Sequence, residues 1–515
     1  MKKSLTIVIV AILIVSIVGG CSAEVENAKE QVFVYGTAQE PGSLNPNAVD
    51  EPYGSIVYQN IFNRLVKFTS SYKIVPDLAE SWELSSDGLK LTFHLAKDVK
   101  WHDGTKFSSE DVKWTFDTII AQKGISSGSF TNVERIECED KNTVSFILNA
   151  PDSSLLSSLS KLGVFIMPKH KYEGQDWLTN ETNFAPVGTG PFKFNEWSTG
   201  ESMTLVKNDD YFVTTPKLDK VIYKYIPDEN TAWLAWMNDE IDCYDTYPYT
   251  EVKKLEGDDQ YEIVERLTAN ITYVAFQTKT EPFQDVAVRR AFAAAIDKNE
   301  LLSTAYQGVG NIAKYPIPSV YNSFTNDSIK LPEHDVGQSK SILEEAGYER
   351  DSEGYYLTID LEYFDLGQFT EAAEILRNQL QKAGINLNLK QMEYTTWQES
   401  VVNHGEFTCT LLNGNQGPTI YDTINRFSPS SSTNISGYDS DEISQFISEA
   451  TSSGSDKELM TAFEKIQKQL VAEIPNLNLI EKVEFVPLKS KIKGHPLTDS
   501  IDIASPEELT YVYFD

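Results

Sequence analysis

Six histidines, the cysteines and a large excess of carboxylates are the groups from which a reaction centre in this chain would have to be built. The histidines are His94, His102, His170, His334, His404 and His495. No two have the spacing of a helical or hairpin metal pair, and H-E-x-x-H does not occur. Cys138, Cys243 and Cys409 are far apart and odd in number, with no C-x-x-C. They argue against a disulfide framework or a zinc site and read as small buried hydrophobes. Gly124-Ile125-Ser126-Ser127-Gly128 matches G-x-S-x-G, but a nucleophile elbow needs a strand before its serine and a helix after it. Here the segment follows a helical pattern and lies among serine and glycine. There is no phosphate loop with its lysine and no G-x-G-x-x-G. Carboxylate pairs of the glycosidase kind abound among 76 Asp and Glu, and nothing singles one out. The expectation is a chain that is not an enzyme and uses no metal and no cofactor. Two readings of other classes stay open. A secreted hydrolase would need one carboxylate pair or nucleophile whose loss abolishes turnover. A surface sensor or adhesin would show a large exposed apolar patch in place of an enclosed cleft.

Aromatic side chains offer binding rather than reaction. The chain holds 25 Tyr, 25 Phe and 8 Trp, and Trp233, Trp236, Tyr244, Tyr247 and Tyr249 crowd together in sequence. They read either as packing between lobes or as a ligand cleft lined by amphipathic rings. The net charge of −32 would repel phosphates, so nucleic acid is not an expected partner. The acidity otherwise reads as solubility.

Lys2 and Lys3 precede an almost wholly apolar run from Leu5 to Val18. A spanning helix needs about 20 residues, so this run reads as a secretory signal. It ends Gly19-Gly20-Cys21, which resembles a bacterial lipobox, where cleavage precedes the cysteine and its thiol receives a lipid. The expectation is a lipoprotein signal over 1–21, lipidation at Cys21 and a polar tether over 22–30. An ordinary signal with an incidental Cys21 is the plainer alternative. The chain should then sit on the outer face of the cell membrane, on the periplasmic side where the envelope has two membranes, and touch lipid only through that anchor.

The elements that must position any site follow from periodicity. Strands are expected at 31–36, 143–148, 202–206, 220–226 and 271–277, and Leu89, Leu91, Phe93 and Leu95 alternate with polar residues as a half-buried strand. Thr37 to Gly42, with Ala38, Gln39 and Glu40, is a loop after the first strand. Ser108 to Asp111 opens a helix with Val112, Phe116 and Ile119 on one face. Beyond Pro282 helices and strands alternate. Val288, Ala291, Phe292 and Ala295 share one helical stripe; 339–346 is a helix; Phe369, Ala372, Leu376 and Leu380 share another. Ile385, Leu387 and Leu389 form a strand, and a last helix starts at Ser455 and buries Phe463, Ile466 and Leu470. Such alternation indicates α/β lobes, and a chain of 515 residues needs more than one core.

Ordered motifs run along this frame. Val75 to Trp82 leads through Ser86-Asp87-Gly88 to Val99-Lys100-Trp101-His102-Asp103-Gly104-Thr105. Pro186-Val187-Gly188-Thr189-Gly190-Pro191-Phe192 follows, then Pro282-Phe283 with Val288-Arg289-Arg290-Ala291-Phe292, and Leu343 to Tyr348. Together they resemble the family 5 extracellular solute-binding proteins, the peptide/nickel type served by ABC importers. The motifs themselves read as turns and scaffold. The resemblance implies an α/β, periplasmic-binding-protein-like type II fold with two large lobes, an extra inserted domain and a hinge. Domain I would comprise 31–60, 186–277 and 482–515, domain II 61–185, and domain III 278–481. The strands near Thr278 and Glu481 would cross between lobes, with a small solute, a peptide favoured, held between domains I and III. Closure by population shift would then present the loaded monomer to a permease driven by ATPase subunits.

Peptide binders of this family often hold the ligand's α-amino group with an aspartate in domain III. The matching stretch is Leu411 to Pro418, and Gly417 stands where the aspartate would be. The dipeptide type also uses an arginine before the helix that begins near Thr370, where this chain has Leu366-Gly367-Gln368. Removing one partner of a buried charge pair costs roughly 3–5 kcal/mol, so a cleft lacking that partner should not clamp charged peptide ends in the usual manner. Asn413, Gly414, Asn415 and Gln416 would offer neutral donors and acceptors, suiting an oligosaccharide or a blocked peptide, with a nickel chelate third. Alternatively Glu40 or Asp422 replaces the missing acid, or 413–416 is simply a turn after a strand at 407–412. Trp397 reads as a stacking platform or as core. The expected ligand-contacting set is Ala38, Gln39, Glu40, Tyr247, Trp397, Asn413, Gly414, Asn415 and Gln416.

Overall fold

A computed structural model describes residues 30–48, 52–69, 73–161, 163–497 and 508–515. The signal, Cys21 and nearly all of the tether lie outside the described residues. Three larger sheets organise the rest. In the first, Val32–Thr37 runs parallel to both Lys220–Tyr225 and Cys243–Tyr244, and Ser202–Lys207 and Phe192–Ser198 continue the sheet antiparallel. The second is antiparallel, in the order Ala79–Leu84, Lys90–Leu95, Thr143–Leu148, Val133–Asp140. Helix Ser109–Ala121 covers it, burying Val112, Phe116 and Ile119 as the spacing requires, and Asp111 reaches back to the Ser108 N–H at 3.0 Å. These two sheets share one apolar core.

The third sheet has six strands, Asn311–Ile312, Asn476–Lys489, Tyr261–Phe276, Cys409–Asn415, Leu357–Phe364 and Ile385–Met392 in that order. It has its own core, where Phe276, Phe283 and Phe292 meet beneath helix Val286–Ala295, and helix Phe369–Lys382 buries the stripe Phe369, Ala372, Leu376 and Leu380. Ser455 caps helix Asp456–Glu473 by accepting from the Glu458 N–H. The chain is thus mixed α/β, with its sheets gathered into separately packed bodies, as expected of a periplasmic-binding-protein-like fold.

The segments carrying the family motifs meet in the first core. His102 donates its backbone N–H to the Gly188 carbonyl at 2.9 Å. The Gly188 N–H donates to His102 Nδ1 at 3.2 Å, which leaves Nε2 to donate to the Gly190 carbonyl at 3.0 Å. Burial holds this imidazole neutral and lowers its pKa to about 4. A Cβ on Gly188 would stand 1.8 Å from the Ile61 carbonyl oxygen, so only glycine lets the two backbones approach.

Two strands tie the bodies together. Tyr261–Phe276 is 16 residues long and Asn476–Lys489 is 14, and they pair antiparallel. Tyr261 and Ile263 pack near Trp236 beside the first sheet, whereas Ile271 to Phe276 lie wholly in the third core. The register shifts between Leu267 and Ile271, so the ladder is irregular where it leaves one core for the other. This corrects two expectations. Residues 271–277 were assigned with the first lobe, but Ile271–Phe276 pair with Cys409–Asn415. Glu481 lies at the crossover opposite Ile271, whereas Thr278 lies past the strand end, bonded to the Ser436 carbonyl. The early half of the long strand is only half-buried, with Glu262, Glu265 and Leu267 exposed, so it lacks the apolar alternation that marks a core strand.

Candidate ligand-binding site

The expected residues lie in two regions of the fold, a first and a second wall, apart from Tyr247 and Trp397, which pack inside. On the first, the Asp245 carboxylate accepts from the Thr37 hydroxyl at 2.8 Å and from the Ala38 N–H at 2.9 Å, fixing the loop as it leaves the strand. Gln39 is exposed. Glu40 accepts from the Trp197 indole at 2.5 Å and the Gly200 N–H at 3.0 Å, and lines a groove of about 680 Å³ with Phe184 and Phe194. Its carboxylate is therefore already held within its own body.

Tyr247 belongs to an aromatic nest behind this loop. Trp233 stacks on Trp236 at 5.3 Å, and Trp236 meets Tyr247 edge-on at 5.7 Å. The Tyr247 hydroxyl accepts from the Tyr244 N–H at 2.8 Å, and burial pushes its pKa well up. In this structure the ring packs.

The second wall is the end of the Cys409–Asn415 strand. Asn413 and Asn415 are not in a turn: they pair with Thr272 and Asn270, and the strand runs through Gly414. Asparagine and glycine are poor strand formers, and the partner strand overrides that preference. Asn413 Nδ2 donates to the Thr272 hydroxyl at 3.2 Å. Asn415 Oδ1 accepts from the Gly417 N–H at 2.8 Å. Gln416 is buried, its N–H bound to the Ala269 carbonyl and its Nε2 to the Gly414 carbonyl, both at 2.9 Å. Gly417 has φ +126°, and a Cβ there would lie 2.5 Å from Asp422 Cβ. No aspartate fits this backbone, so the departure read from the sequence has a steric basis. Asp422 has both oxygens engaged, one with Lys161 at 2.9 Å and one accepting from the Thr419 hydroxyl at 2.6 Å.

Two residues at this wall, Tyr306 and Arg426, carry no sequence signal. The Tyr306 hydroxyl is buried beside Thr272 and Gln368 without an aligned hydrogen bond. Arg426 follows the short helix Ile420–Asn425 and donates to the Tyr273 hydroxyl at 3.0 Å. Gln368, standing where the dipeptide type has an arginine, thus lies in the same polar cluster as Asn413. Trp397 does not join them. It is 5% exposed, its indole donates to the Thr410 hydroxyl at 2.9 Å, and Phe364 lies 4.6 Å away. Its role here is core packing.

Two further contacts frame the crossover. The Glu481 carboxylate accepts from the Ser319 N–H at 2.9 Å, and burial raises its pKa, while burial lowers that of nearby Lys298 to about 7. The Ser153 N–H donates to the Thr451 carbonyl at 2.7 Å and its hydroxyl lies 2.8 Å from the Ala450 carbonyl oxygen, joining the second sheet's body to helix Asp441–Thr451. Among the described residues no group of three or more His, Cys, Asp or Glu could hold a metal ion, and no helix is long and apolar enough to cross a membrane.

A family model described as bacterial extracellular solute-binding proteins, family 5 Middle, matches residues 73–437. Heme-binding protein A of Haemophilus influenzae is 28% identical over 506 residues, covering 92% of this chain and 91% of that protein. The oligopeptide-binding protein AppA of Bacillus subtilis is 25% identical over 532 residues, covering 97% of each. Among solved structures, the ABC transporter substrate-binding protein CtaP of Listeria monocytogenes has the same fold, with a TM-score of 0.84 at 23% identity over 94% of this chain and 99% of that one.

Proposed function

The chain belongs to the bacterial extracellular solute-binding proteins of family 5, substrate-binding receptors of ABC importers, and from that premise we propose how it works. A small solute, an oligopeptide by preference, enters between the loop Thr37–Glu40 and the strand end Asn413–Gln416. The bodies close about the paired strands Tyr261–Phe276 and Asn476–Lys489. The solute touches both walls only in the closed state, so it stabilises that state by its differential affinity; a shift from 1:99 to 99:1 takes about 5.5 kcal/mol. The closed monomer docks on a permease driven by ATPase subunits. A lipid on Cys21 holds it at the outer face of the membrane, and Cys21→Ala should lose labelling by a lipid precursor.

The observation that carries this reading is the pair of long strands shared by two separately packed cores, irregular in register where they cross. A peptide is favoured because the Bacillus subtilis relative, aligned over 97% of this chain, is named an oligopeptide-binding protein. A solute without a charged amino end, such as a blocked peptide or an oligosaccharide, is the second reading, favoured by the lack of room for an acid at Gly417. Small-angle scattering with pooled tri- to pentapeptides tests closure. The radius of gyration should fall at saturation; tight binding with no change in size would refute closure.

A further inference from the structure

Arg426 stands out among the half-buried cations. A guanidinium carries five N–H donors in a fixed fork. Here Nη2 donates to the Tyr273 hydroxyl at 3.0 Å, Nη1 is 3.5 Å from the Asn415 carbonyl, and Nε is buried with no partner among the described residues. Arg64 Nε likewise lacks an aligned partner among the described residues, but the charge of the other interior arginines is answered. Arg64 lies in the field of Asp77 and Glu508, Arg266 pairs with Glu484, and Arg289 donates to the carbonyls of Phe283 and Glu473. In a chain with 76 acids and 44 bases, an arginine with no carboxylate needs a reason.

The structure supplies one. Asp422 precedes Arg426 by one helical turn, the spacing at which Asp and Arg pair on a helix. Lys161, reaching in from the second sheet's body, takes one Asp422 oxygen at 2.9 Å, and Thr419 takes the other. Gly417 has no room for a side chain, so no acid enters from that side either. The natural partner of Arg426 is thus diverted. Beside it, Asn415 is exposed and its Oδ1 accepts from Gly417, so its Nδ2 donors have no bond among the described residues. Guanidinium and amide donors stand together at the strand end, and among the described residues no carboxylate pairs with the guanidinium.

Resting on the solute-receptor reading above, we infer that Arg426 selects a carboxylate on the solute, with Asn415 Nδ2 as a second donor. The preferred class is a peptide or similar solute that brings a carboxylate, not an ammonium, to this strand end. Lys161 acts as a positioning residue by keeping Asp422 away from Arg426.

Binding of two probe pools to the mature full-length protein tests this: N-acetylated tripeptides with a free carboxylate, and the same peptides as C-terminal amides. The acids should bind about tenfold tighter or more, the scale of one lost charged hydrogen bond. Arg426→Gln should erase that preference and Arg426→Lys should keep part of it. Lys161→Gln, which leaves Arg426 untouched, should weaken the acids several-fold by freeing Asp422, and adding Asp422→Asn should restore them. A purely structural Arg426 predicts no such rescue. Amides that bind as well as acids, or a preference that survives Arg426→Gln, would overturn the inference. Binding of neither pool would refute the peptide reading instead, and the solute released from the purified protein would then decide. A carboxylate-bearing species depleted in Arg426→Gln supports the inference, and a species without a carboxylate overturns it.

Discussion

Two regions of this protein are dense in polar groups and differ in how far those groups are satisfied. Where the motif segments meet, His102, Gly188, Gly190 and Ile61 form a closed set. At the strand end, Arg426 Nε and the Tyr306 hydroxyl are buried with no aligned partner among the described residues. A buried polar group left unmet costs about 1–3 kcal/mol. Arg64 Nε and Trp101 Nε1 in the first core share that state, so an unmet donor does not by itself mark a site; what distinguishes the strand end is the exposed Asn415 beside its donors.

Substitutions should separate the two regions by kind of effect. The largest is expected at Gly188→Ala, whose Cβ would press on the Ile61 backbone: a loss of roughly 3 kcal/mol or failure to fold, read by denaturant unfolding. Solute affinity per folded molecule should be unchanged. Next comes pH. His102 titrates at about 4 in the folded chain against 6.5 unfolded, so between those values the unfolded state binds more protons. Stability should therefore rise with pH from about 4 to 6.5 and fall on acidification, by roughly 3 kcal/mol from this residue. His495 is likewise lowered to about 4 by burial, so His102→Gln should remove about half of that slope; an unaltered slope would show that the His102 imidazole is not held neutral. Asp245→Ala strands the Thr37 hydroxyl and the Ala38 N–H and should cost about 1–3 kcal/mol by thermal unfolding. The smallest stability effect belongs to the second region. Tyr306→Phe removes a hydroxyl that lacks an aligned partner and should leave the melting temperature within about 1 °C, while solute affinity changes several-fold. A large loss of stability there would erase the distinction between the regions.

Much of the scaffold was legible in the sequence. Thr143–Leu148 occurs where alternation places it, and the stripe of helix Phe369–Lys382 faces the core as its spacing requires. The first half of Tyr261–Phe276 was not legible, because it is only partly buried and its apolar residues do not alternate regularly. Asn413 and Gly414 looked like a turn because their residue types disfavour strands, and only the partner strand reveals otherwise. The missing acid at Gly417 was legible as a departure from the family, but the space occupied by Asp422 was not. Arg426 belongs to no motif and no periodic stripe, so nothing in the sequence singles it out. Its significance depends on Lys161, which is remote in sequence and meets Asp422 only in the fold.

The most direct test compares native and denatured masses of the purified mature protein. The account predicts an extra mass in the native state, released on denaturation, that fragments as a peptide or related solute bearing a free carboxylate. A released solute with no carboxylate, bound as tightly by Arg426→Gln as by the natural chain, would contradict it.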